Sequence, residues 1–249
     1  MGLAKTCEEI MKIRKACRIC REILTSLGDM LEEGITTADI EQQARELMRQ
    51  KGVQSAFLGY RGYPAAVCIS VNDQVVHGIP STKRRIRSGD IISVDIGVVY
   101  DGYYGDCAQT FPLGEVHSKH KLLISATQLA LKAGIEKAVP GNRVGDISAA
   151  IQTTVENFGF SVVRAFSGHG IGKSLHEPPE IPNFGIAGRG EFLVEKMVLA
   201  IEPMVNEGSY QVKILDDGWT VVTSDGSFSA HCEETVLIGK QEAEILTVV

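Results

Sequence analysis

Apolar side chains recur three and four positions apart over the first thirty residues, the spacing of one face of a helix. The pattern predicts a helix from Cys7 to Leu27, and Thr6 with Glu9 forms a capping box at its start. The same spacing predicts a second helix over residues 38–50. Both helices should therefore pack an apolar face against the rest of the chain.

The pattern then changes to short apolar runs bounded by turn residues, which are typical of strands. The strongest run extends from Ile91 to Tyr100, and Asp101-Gly102, a favoured two-residue hairpin turn, leads into a returning strand over residues 103–111. The other predicted elements are helices over residues 119–138 and 147–158, and strands over residues 67–71, 75–77, 162–166, 197–205, 219–223 and 228–238. The order helices, strands, helices, strands indicates an α+β fold of two similar halves with antiparallel hairpins.

Composition narrows the class of protein. The chain has 249 residues, 44% of them hydrophobic, and a net charge of −6, which gives no overall attraction to nucleic acid or anionic membrane. No apolar run could span a bilayer, and charges interrupt the first residues, so we expect a cytoplasmic protein without a signal peptide.

The six cysteines are expected to be reduced, and Cys17 and Cys20 share the apolar helix face, which favours burial over a metal or redox site.

Two aspartates of the predicted hairpin lie on one face. With the turn at Asp101-Gly102, Gly97 pairs with Asp106, and Asp95 is two residues from Gly97. Asp95 and Asp106 are then diagonal neighbours with Cα atoms about 7–8 Å apart, close enough for both side chains to reach one ion. A one-residue bulge would remove this proximity, and the alternative is a pair of unrelated solvent-facing aspartates. The apolar surroundings of Asp95 favour the shared site.

Three further residues complete a candidate metal-binding set. His169 lies in the glycine-rich segment Ser167–Gly172, and Glu202 and Glu233 lie in apolar strands. One histidine with four carboxylates suits two hard or borderline divalent ions. Four buried acids would be very unfavourable without cations. Each segment alone is weak evidence for a metal site, because a lone histidine, for example, is more often an ordinary core residue.

The motifs together resemble the type I methionine aminopeptidase family over nearly the whole chain. They are, in chain order, Val67–Asn72, His77–Pro80, Val94–Gly97, Gly105-Asp106, Gly168–Gly172, His176-Glu177, Ile201–Met204 and Glu233–Thr235. The resemblance implies the pita-bread fold, two pseudo-symmetric halves of antiparallel sheet flanked by helices, and a single catalytic domain over residues 1–249. It implies a monomer of the short bacterial form. This enzyme would use two divalent ions (cobalt, manganese, iron or zinc) to remove the initiator methionine of nascent polypeptides whose second residue is small.

The resemblance also implies roles for individual residues. The metal ligands would be Asp95, Asp106, His169, Glu202 and Glu233. Asp106 and Glu233 would bridge the two ions, and Glu202 would also act as the general base. His77 and His176 would contact the scissile peptide, with His176 stabilising the oxyanion. The pocket for the methionine side chain would be lined by Tyr60, Tyr63, Cys68 and Trp219.

Three positions depart from the family pattern. Phe57 stands where cysteine is common, Leu175 replaces a frequent phenylalanine, and Glu234 follows Glu233 where histidine is usual. The first two could reshape the pocket, whereas Glu234 is expected on the opposite strand face. His231 shares the face of Glu233, and both a supporting role at the site and an ordinary rim position remain open.

Some polar residues lie outside these motifs. A basic cluster in the otherwise acidic chain consists of Lys83, Arg84, Arg85 and Arg87. A solvated loop is the simpler interpretation, and contact with ribosomal RNA near emerging nascent chains is the alternative. His117 and His120 begin a predicted helix and are expected to face solvent.

Two other functions are alternatives for this chain. A proline-specific peptidase of the same superfamily usually carries an additional N-terminal domain, whereas the first metal ligand here would already be Asp95. A binding protein that kept the fold and lost catalysis is disfavoured, because all five ligand positions and both histidines are present.

Overall fold

The computed structural model describes residues 4–249. Within this range there are four helices, α1 (Cys7–Asp29), α2 (Thr37–Lys51), α3 (Ser118–Lys137) and α4 (Val144–Asn157), and none of them is long and apolar enough to cross a membrane. The predicted capping box of α1 is confirmed. The Glu9 backbone N–H donates to the Thr6 hydroxyl, and the Thr6 backbone N–H donates to the Glu9 carboxylate. All four predicted helices are present, with ends displaced by at most three residues.

Short strands among residues 4–249 form four antiparallel sheets. The strands are β1 (Gln54–Ser55), β2 (Cys68–Val71), β3 (Gln74–Val76), β4 (Ile91–Tyr100), β5 (Tyr103–Pro112), β6 (Ser161–Val162), β7 (Ser167–Gly170), β8 (Glu177–Pro182), β9 (Val198–Ile201), β10 (Met204–Asn206), β11 (Val212–Ile214), β12 (Val221–Thr223), β13 (Ser229–His231), β14 (Glu234–Ile238) and β15 (Ala243–Ile245). One sheet joins β4 to β1, β2 and β5, and a five-stranded sheet has the order β15-β14-β9-β7-β8. The two smaller sheets have the orders β13-β10-β6 and β11-β12-β3.

The β4–β5 hairpin has the predicted register. Tyr100 pairs with Tyr103 and Gly97 with Asp106 along a continuous ladder. The turn residues Asp101-Gly102 have φ values of 48° and 77°, the left-handed conformation that a two-residue hairpin turn requires. Because the ladder has no bulge, side chains two residues apart stay on one face of the sheet.

Helix α1 lies directly against this hairpin. A Cβ atom added at Gly105 would come within 2.5 Å of the Cys17 backbone nitrogen, so glycine permits the close approach of helix and strand. Cys17 and Cys20 are fully buried, as predicted, and Cys20 Sγ lies 3.2 Å from Cys107 Sγ. The core formed by α1, α2 and the β4 sheet therefore holds the hairpin rigidly in place.

Helices α3 and α4 pack in the second half of the chain much as α1 and α2 do in the first. Leu123 of α3, Ile147 of α4 and Leu199 of β9 are fully buried in one core. Gly134 lets the two helices approach, because a Cβ atom there would lie 2.8 Å from the Ile151 side chain. Each half is thus a pair of helices on antiparallel sheet, as the pita-bread fold requires.

Two strands that were predicted to be continuous are divided in the structure. The strand predicted over residues 197–205 becomes β9 and β10, which separate at Glu202-Pro203, where the proline has no N–H for a ladder. The strand predicted over residues 228–238 becomes β13 and β14, which separate at Cys232-Glu233. At each break the chain passes between the five-stranded sheet and a three-stranded one. Both predicted glutamate ligands therefore lie where the chain changes sheets.

Other differences have local causes. Residues 163–166, predicted as strand, connect β6 to β7. The sequence analysis did not predict β1, β8, β11 or β15. Strand β8 has the sequence EPPEIP, whose prolines lower strand propensity, and it is accommodated because it lies at a sheet edge.

The two halves are joined along β5 and β14. The Glu233 N–H donates to the Ala108 carbonyl at 2.9 Å, and the Ala108 N–H donates back to the Glu233 carbonyl at 3.3 Å. The Thr235 hydroxyl donates to the Asp106 carbonyl at 2.7 Å. These bonds place the hairpin of the first half beside the glutamate of the second.

Candidate metal centre

Four acidic side chains and a histidine collect where the two sheets meet. Asp95 and Asp106 project from one face of the hairpin, as its register requires. Donor atoms of Asp106, His169 and Glu233 lie within 4.8 Å of one another. His169 Nε2 lies 3.5 Å from Glu202 Oε1. The five residues predicted as metal ligands therefore line one cleft of about 390 Å³.

The backbone sets the tautomer of His169. Its Nδ1 lies 3.0 Å from the Gly170 carbonyl oxygen, which can only accept, so Nδ1 carries the proton. Nε2 therefore keeps its lone pair free. Burial is the main cause that lowers the pKa of His169 to about 3, so the ring is neutral near pH 7. A neutral imidazole is the form of histidine that binds metal ions.

Three carboxylate oxygens in the cleft have no hydrogen-bond partner within residues 4–249. They are Asp95 Oδ1, Asp106 Oδ1 and Glu233 Oε1, and all three atoms are buried. Buried polar atoms are ordinarily paired, because an unsatisfied one costs about 1–3 kcal/mol. Oxygens of this kind, aimed into one cleft beside an imidazole lone pair, fit a site that cations complete.

Without cations, ionisation of the four carboxyl groups in the cleft is strongly unfavourable. Burial raises the pKa of Asp95 to about 7 and the pKa of Glu202 to about 8. Burial and then the charge of Asp95 raise the pKa of Asp106 well above its usual value, and burial and then Asp106 do the same for Glu233. Divalent cations would offset both the cost of burying the carboxylates and the repulsion between them. Four carboxylates with one imidazole suit first-row divalent ions.

An apolar pocket adjoins the carboxylates in the same cleft. It is lined by all four residues predicted to form the methionine pocket, Tyr60, Tyr63, Cys68 and Trp219. The Tyr63 and Trp219 rings pack edge to face with centroids 5.1 Å apart. Phe57 and Leu175, two of the departures from the family pattern, are buried in the same lining. Phe57 is larger than the usual cysteine and Leu175 is smaller than the usual phenylalanine, so the two departures change the shape of the pocket in opposite ways.

Phe166 and Met204 are among the lining residues that the sequence analysis did not identify. Met204 follows Glu202 by two residues, a spacing that could have indicated a shared strand face. Phe166 gave no such signal. Its ring meets His77 edge-on, with centroids 5.4 Å apart, through a contact between distant segments.

His77 and His176 lie at the edge of the carboxylate group. His77 has a φ of 60°, a left-handed conformation that is unfavourable for a residue with a Cβ atom. The ring centroid of His176 lies 4.3 Å from that of His169. Burial lowers the pKa of His77 to about 4 and is the main cause that lowers the pKa of His176. Neutral rings can each donate one hydrogen bond.

Glu234 and His231, which are close to Glu233 in sequence, point in different directions. Glu234 points away from the cleft, as expected, and accepts from Arg21 Nη2 at 2.6 Å. His231 is 2% exposed, so the rim position is wrong. Its Nε2 lies 3.6 Å from Glu202 Oε2 and has no hydrogen-bond partner among the described residues. His231 therefore supports the wall of the cleft behind Glu202.

His117 is exposed, but the expectation that His120 faces solvent is wrong. The His120 ring stacks on Phe228 with centroids 3.8 Å apart, and its side chain is 19% exposed. Helical spacing could not reveal that a segment more than a hundred residues later in the chain packs over the start of α3.

Two antiparallel halves that enclose a carboxylate-rich metal centre and an apolar pocket define a metal-dependent hydrolase. The chain belongs to metallopeptidase family M24, whose model matches residues 11–240. It is 49% identical over 248 residues to the methionine aminopeptidase of Clostridium acetobutylicum, with 100% of this chain and 99% of that protein covered. It resembles the crystal structure of methionine aminopeptidase from Thermotoga maritima with a TM-score of 0.97 and 46% identity, over 99% of each chain.

A more distant structure shares the fold. Prolidase from Pyrococcus furiosus has a TM-score of 0.81 and 24% identity, with 99% of this chain and 66% of that chain covered. At this identity the likeness concerns architecture alone. The predicted pita-bread fold is confirmed by both structures.

Proposed function

We propose that this protein is a methionine aminopeptidase that removes the initiator methionine from polypeptides whose second residue is small. The observation that carries the proposal is a single cleft in which the carboxylate–histidine group directly adjoins an apolar pocket. Similarity over the full length to methionine aminopeptidases supports the same substrate. Residues 1–249 act as one catalytic domain.

The five clustered side chains would hold two divalent ions. Asp106 and Glu233 would be shared between them, since both are almost fully buried and each has one unpartnered oxygen. Asp95 would add a ligand to one ion, and His169 with the adjacent Glu202 would add ligands to the other. When bound, the ions supply Lewis acidity for hydrolysis of the peptide bond. Cobalt, manganese, iron and zinc all suit this donor set.

Glu202 is the general base. Its side chain is partly exposed, at 15%, whereas Asp106 and Glu233 are buried residues, so water reaches Glu202 more readily. Glu202 takes the proton of the attacking water and delivers it to the leaving amine. His231, whose Nε2 lies 3.6 Å from Oε2, limits where the Glu202 carboxylate can move.

The two neutral histidines bind the reacting peptide group. His176 donates a hydrogen bond to the carbonyl oxygen as negative charge develops there, and His77 hydrogen-bonds the scissile amide. The methionine side chain occupies the pocket formed by Tyr63, Trp219 and their neighbours. Thioether and aromatic groups pack favourably at such contacts.

Peptide cleavage tests the proposal. The purified protein should release methionine from Met-Gly, Met-Ala and Met-Ser peptides and hardly at all from Met-Lys or Met-Leu, because the second residue is confined beside the carboxylates. The Asp106→Asn variant, purified in parallel, controls for contaminating peptidases. Equal cleavage of bulky second residues would contradict the proposed site.

The same assay separates the other two functions. A proline-specific peptidase would prefer an Ala-Pro peptide over Met-Ala-Ser, and a binding protein without catalysis would release nothing from either. Sequence identity favours the methionine enzyme, at 49% against 24% for the prolidase.

We also propose that Lys83, Arg84, Arg85 and Arg87 contact the ribosome. All four are exposed, and none forms an ion pair within residues 4–249. Cationic side chains without carboxylate partners are available to phosphates. Charge reversal of Arg84 and Arg85 should weaken co-sedimentation with ribosomes and lower its salt dependence. Reversal of the exposed Lys132 and Lys137 on α3 is the matched control. Equal effects in both variants would indicate only general charge attraction.

The protein acts as a monomer in the cytoplasm, where nascent polypeptides present their N-termini. Light scattering after size-exclusion chromatography should give about the mass of one chain, 27.0 kDa. Twice that mass would contradict the monomer.

A further inference from the structure

Tyr60 stands on a tightly constrained turn at the edge of the cleft. Residues Tyr60–Gly62 form a tight turn in which Arg61 departs from helical geometry. Gly59 and Gly62 have φ values of 81° and 91°, and Arg61 between them has 49°. The Gly59 N–H donates to the Tyr63 carbonyl, and the Tyr63 N–H donates to the Tyr60 carbonyl. Such a turn fixes the backbone from which the Tyr60 side chain extends into the lining of the cleft.

The Tyr60 hydroxyl meets His176. Its oxygen lies 2.7 Å from His176 Nδ1, a short hydrogen bond between residues 116 positions apart. The ring centroids are 5.3 Å apart, and the ring planes are inclined by 36°. Among residues 4–249, neither the hydroxyl nor this imidazole has another side-chain hydrogen bond. The contact therefore fixes the orientation of the His176 ring, and the direction of this hydrogen bond selects the tautomer of the ring.

A neutral imidazole carries one N–H and one acceptor nitrogen, on opposite edges of the ring. If the hydroxyl donates to Nδ1, the ring proton resides on Nε2, and Nε2–H points away from Tyr60. An oxyanion donor needs that form, because an unprotonated Nε2 would repel the developing negative charge. The group bonded to the second nitrogen of a histidine commonly sets this choice.

We propose that Tyr60 is a positioning residue for the reaction, whose hydroxyl holds His176 in the Nε2–H tautomer and aims that donor at the substrate carbonyl. This inference rests on the proposed function and goes beyond lining the methionine pocket, for which the ring of Tyr60 would suffice. The two roles separate in one substitution, because Tyr60→Phe keeps the ring and removes only the hydroxyl.

Steady-state kinetics of Tyr60→Phe with a Met-Ala-Ser peptide tests the role. We expect kcat to fall about three- to tenfold, the loss of one neutral hydrogen bond, with KM changed less than twofold. Tyr210→Phe is the matched control, because Tyr210 is 42% exposed and its ring contacts Arg164 outside the cleft. A raised KM with unchanged kcat would show that Tyr60 only lines the pocket, and would overturn the inference.

A double-mutant cycle tests whether Tyr60 acts through His176. In the His176→Ala background, Tyr60→Phe should change kcat less than twofold. The same loss in both backgrounds would overturn the inference, since the hydroxyl would then act elsewhere.

A spectroscopic measurement does not depend on activity. With ¹⁵N-labelled histidine, the His176 signals of the metal-loaded wild type should report Nε2–H, and those of Tyr60→Phe a mixture of tautomers. Identical tautomers in both proteins would overturn the inference. If the wild type cleaved no methionine peptide, the proposed function would fail, whereas this measurement would still decide whether Tyr60 controls the imidazole.

Discussion

Removal of the metal should make the stability of this protein depend on pH in an unusual direction. Without cations the clustered acids hold protons in the folded state, because the pKa is about 7 for Asp95 and about 8 for Glu202. In the unfolded chain both groups ionise near their ordinary values of 3.8 and 4.5. A folded state that binds more protons than the unfolded state loses stability as pH rises.

The change in the free energy of unfolding between pH 7 and 8 can be calculated from these pKa values. At pH 7.5 Asp95 is about one-quarter protonated and Glu202 about three-quarters protonated, so the folded protein holds about one proton that the unfolded chain has released. The free energy of unfolding should therefore fall by about 1.4 kcal/mol per pH unit. Asp106 and Glu233, whose pKa values are also raised, increase the slope in the same direction. A change of about 1.4 kcal/mol is a large fraction of a total stability of about 5–15 kcal/mol.

Between pH 7 and 8 the buried acids, and not the histidines, dominate the pH dependence of the free energy of unfolding. Below pH 6.5 the buried histidines act in the opposite direction, because burial lowers the pKa of His77 to about 4 and of His169 to about 3. Those rings are neutral when folded and protonated when unfolded, so stability there rises with pH. Above pH 7 they are mostly neutral in both states. An unfolded histidine of pKa 6.5 is about one-quarter protonated at pH 7 and about 3% protonated at pH 8, so each of these rings offsets only about 0.1 kcal/mol of the fall.

Urea unfolding at pH 7.0, 7.5 and 8.0 measures the slope, in the presence of a chelator and again with saturating metal. The metal-loaded protein should show little slope, because its carboxylates are already ionised. Glu202→Gln should reduce the slope of the metal-free protein, and Glu242→Gln, at an exposed position, is the matched control. A metal-free protein whose stability stays constant or rises between pH 7 and 8 would refute the reasoning.

The remaining predictions concern single side chains. Asp106→Asn should weaken the binding of both ions and reduce activity to near background, because one carboxylate serves two cations; wild-type affinity for two ions in calorimetry would disprove the bridging role. His176→Ala should lower kcat by about 10²–10³ with the metal content unchanged, and a variant that keeps more than about a tenth of wild-type kcat would exclude an oxyanion donor. Arg21→Ala should lower the free energy of unfolding by about 3–5 kcal/mol, because Glu234 would lose its cationic partner at 2.6 Å and keep only the Thr247 hydroxyl in a mostly buried position. Urea unfolding measures this loss, and a change below about 1 kcal/mol would show that Glu234 finds other partners.

Local chemistry made the hairpin and its aspartates predictable. The turn Asp101-Gly102 specifies the pairing of its neighbours, and the two-residue period of a strand then places Asp95 and Asp106 on one face. The helices were predictable for the same reason, since capping and apolar spacing act over a few residues.

The family resemblance extended this prediction to the rest of the site. All eleven residues predicted to bind metal or substrate line the same cleft, although no local pattern connects His169 or Trp219 to the hairpin. Their roles in binding and catalysis remain predictions until the variants are measured.

Tertiary structure alone decided which side chains meet across the halves. The sequence by itself determined the register of the hairpin, its two aspartates and the four helices, because each depends on neighbours along the chain. It could not reveal that Tyr60 bonds His176 at 2.7 Å, that Arg21 pairs with Glu234, or that β9 and β10 part at Glu202. Those contacts join residues that are distant in sequence, or depend on which sheet a strand enters. They exist only once the two cores have packed and set the distance between the halves.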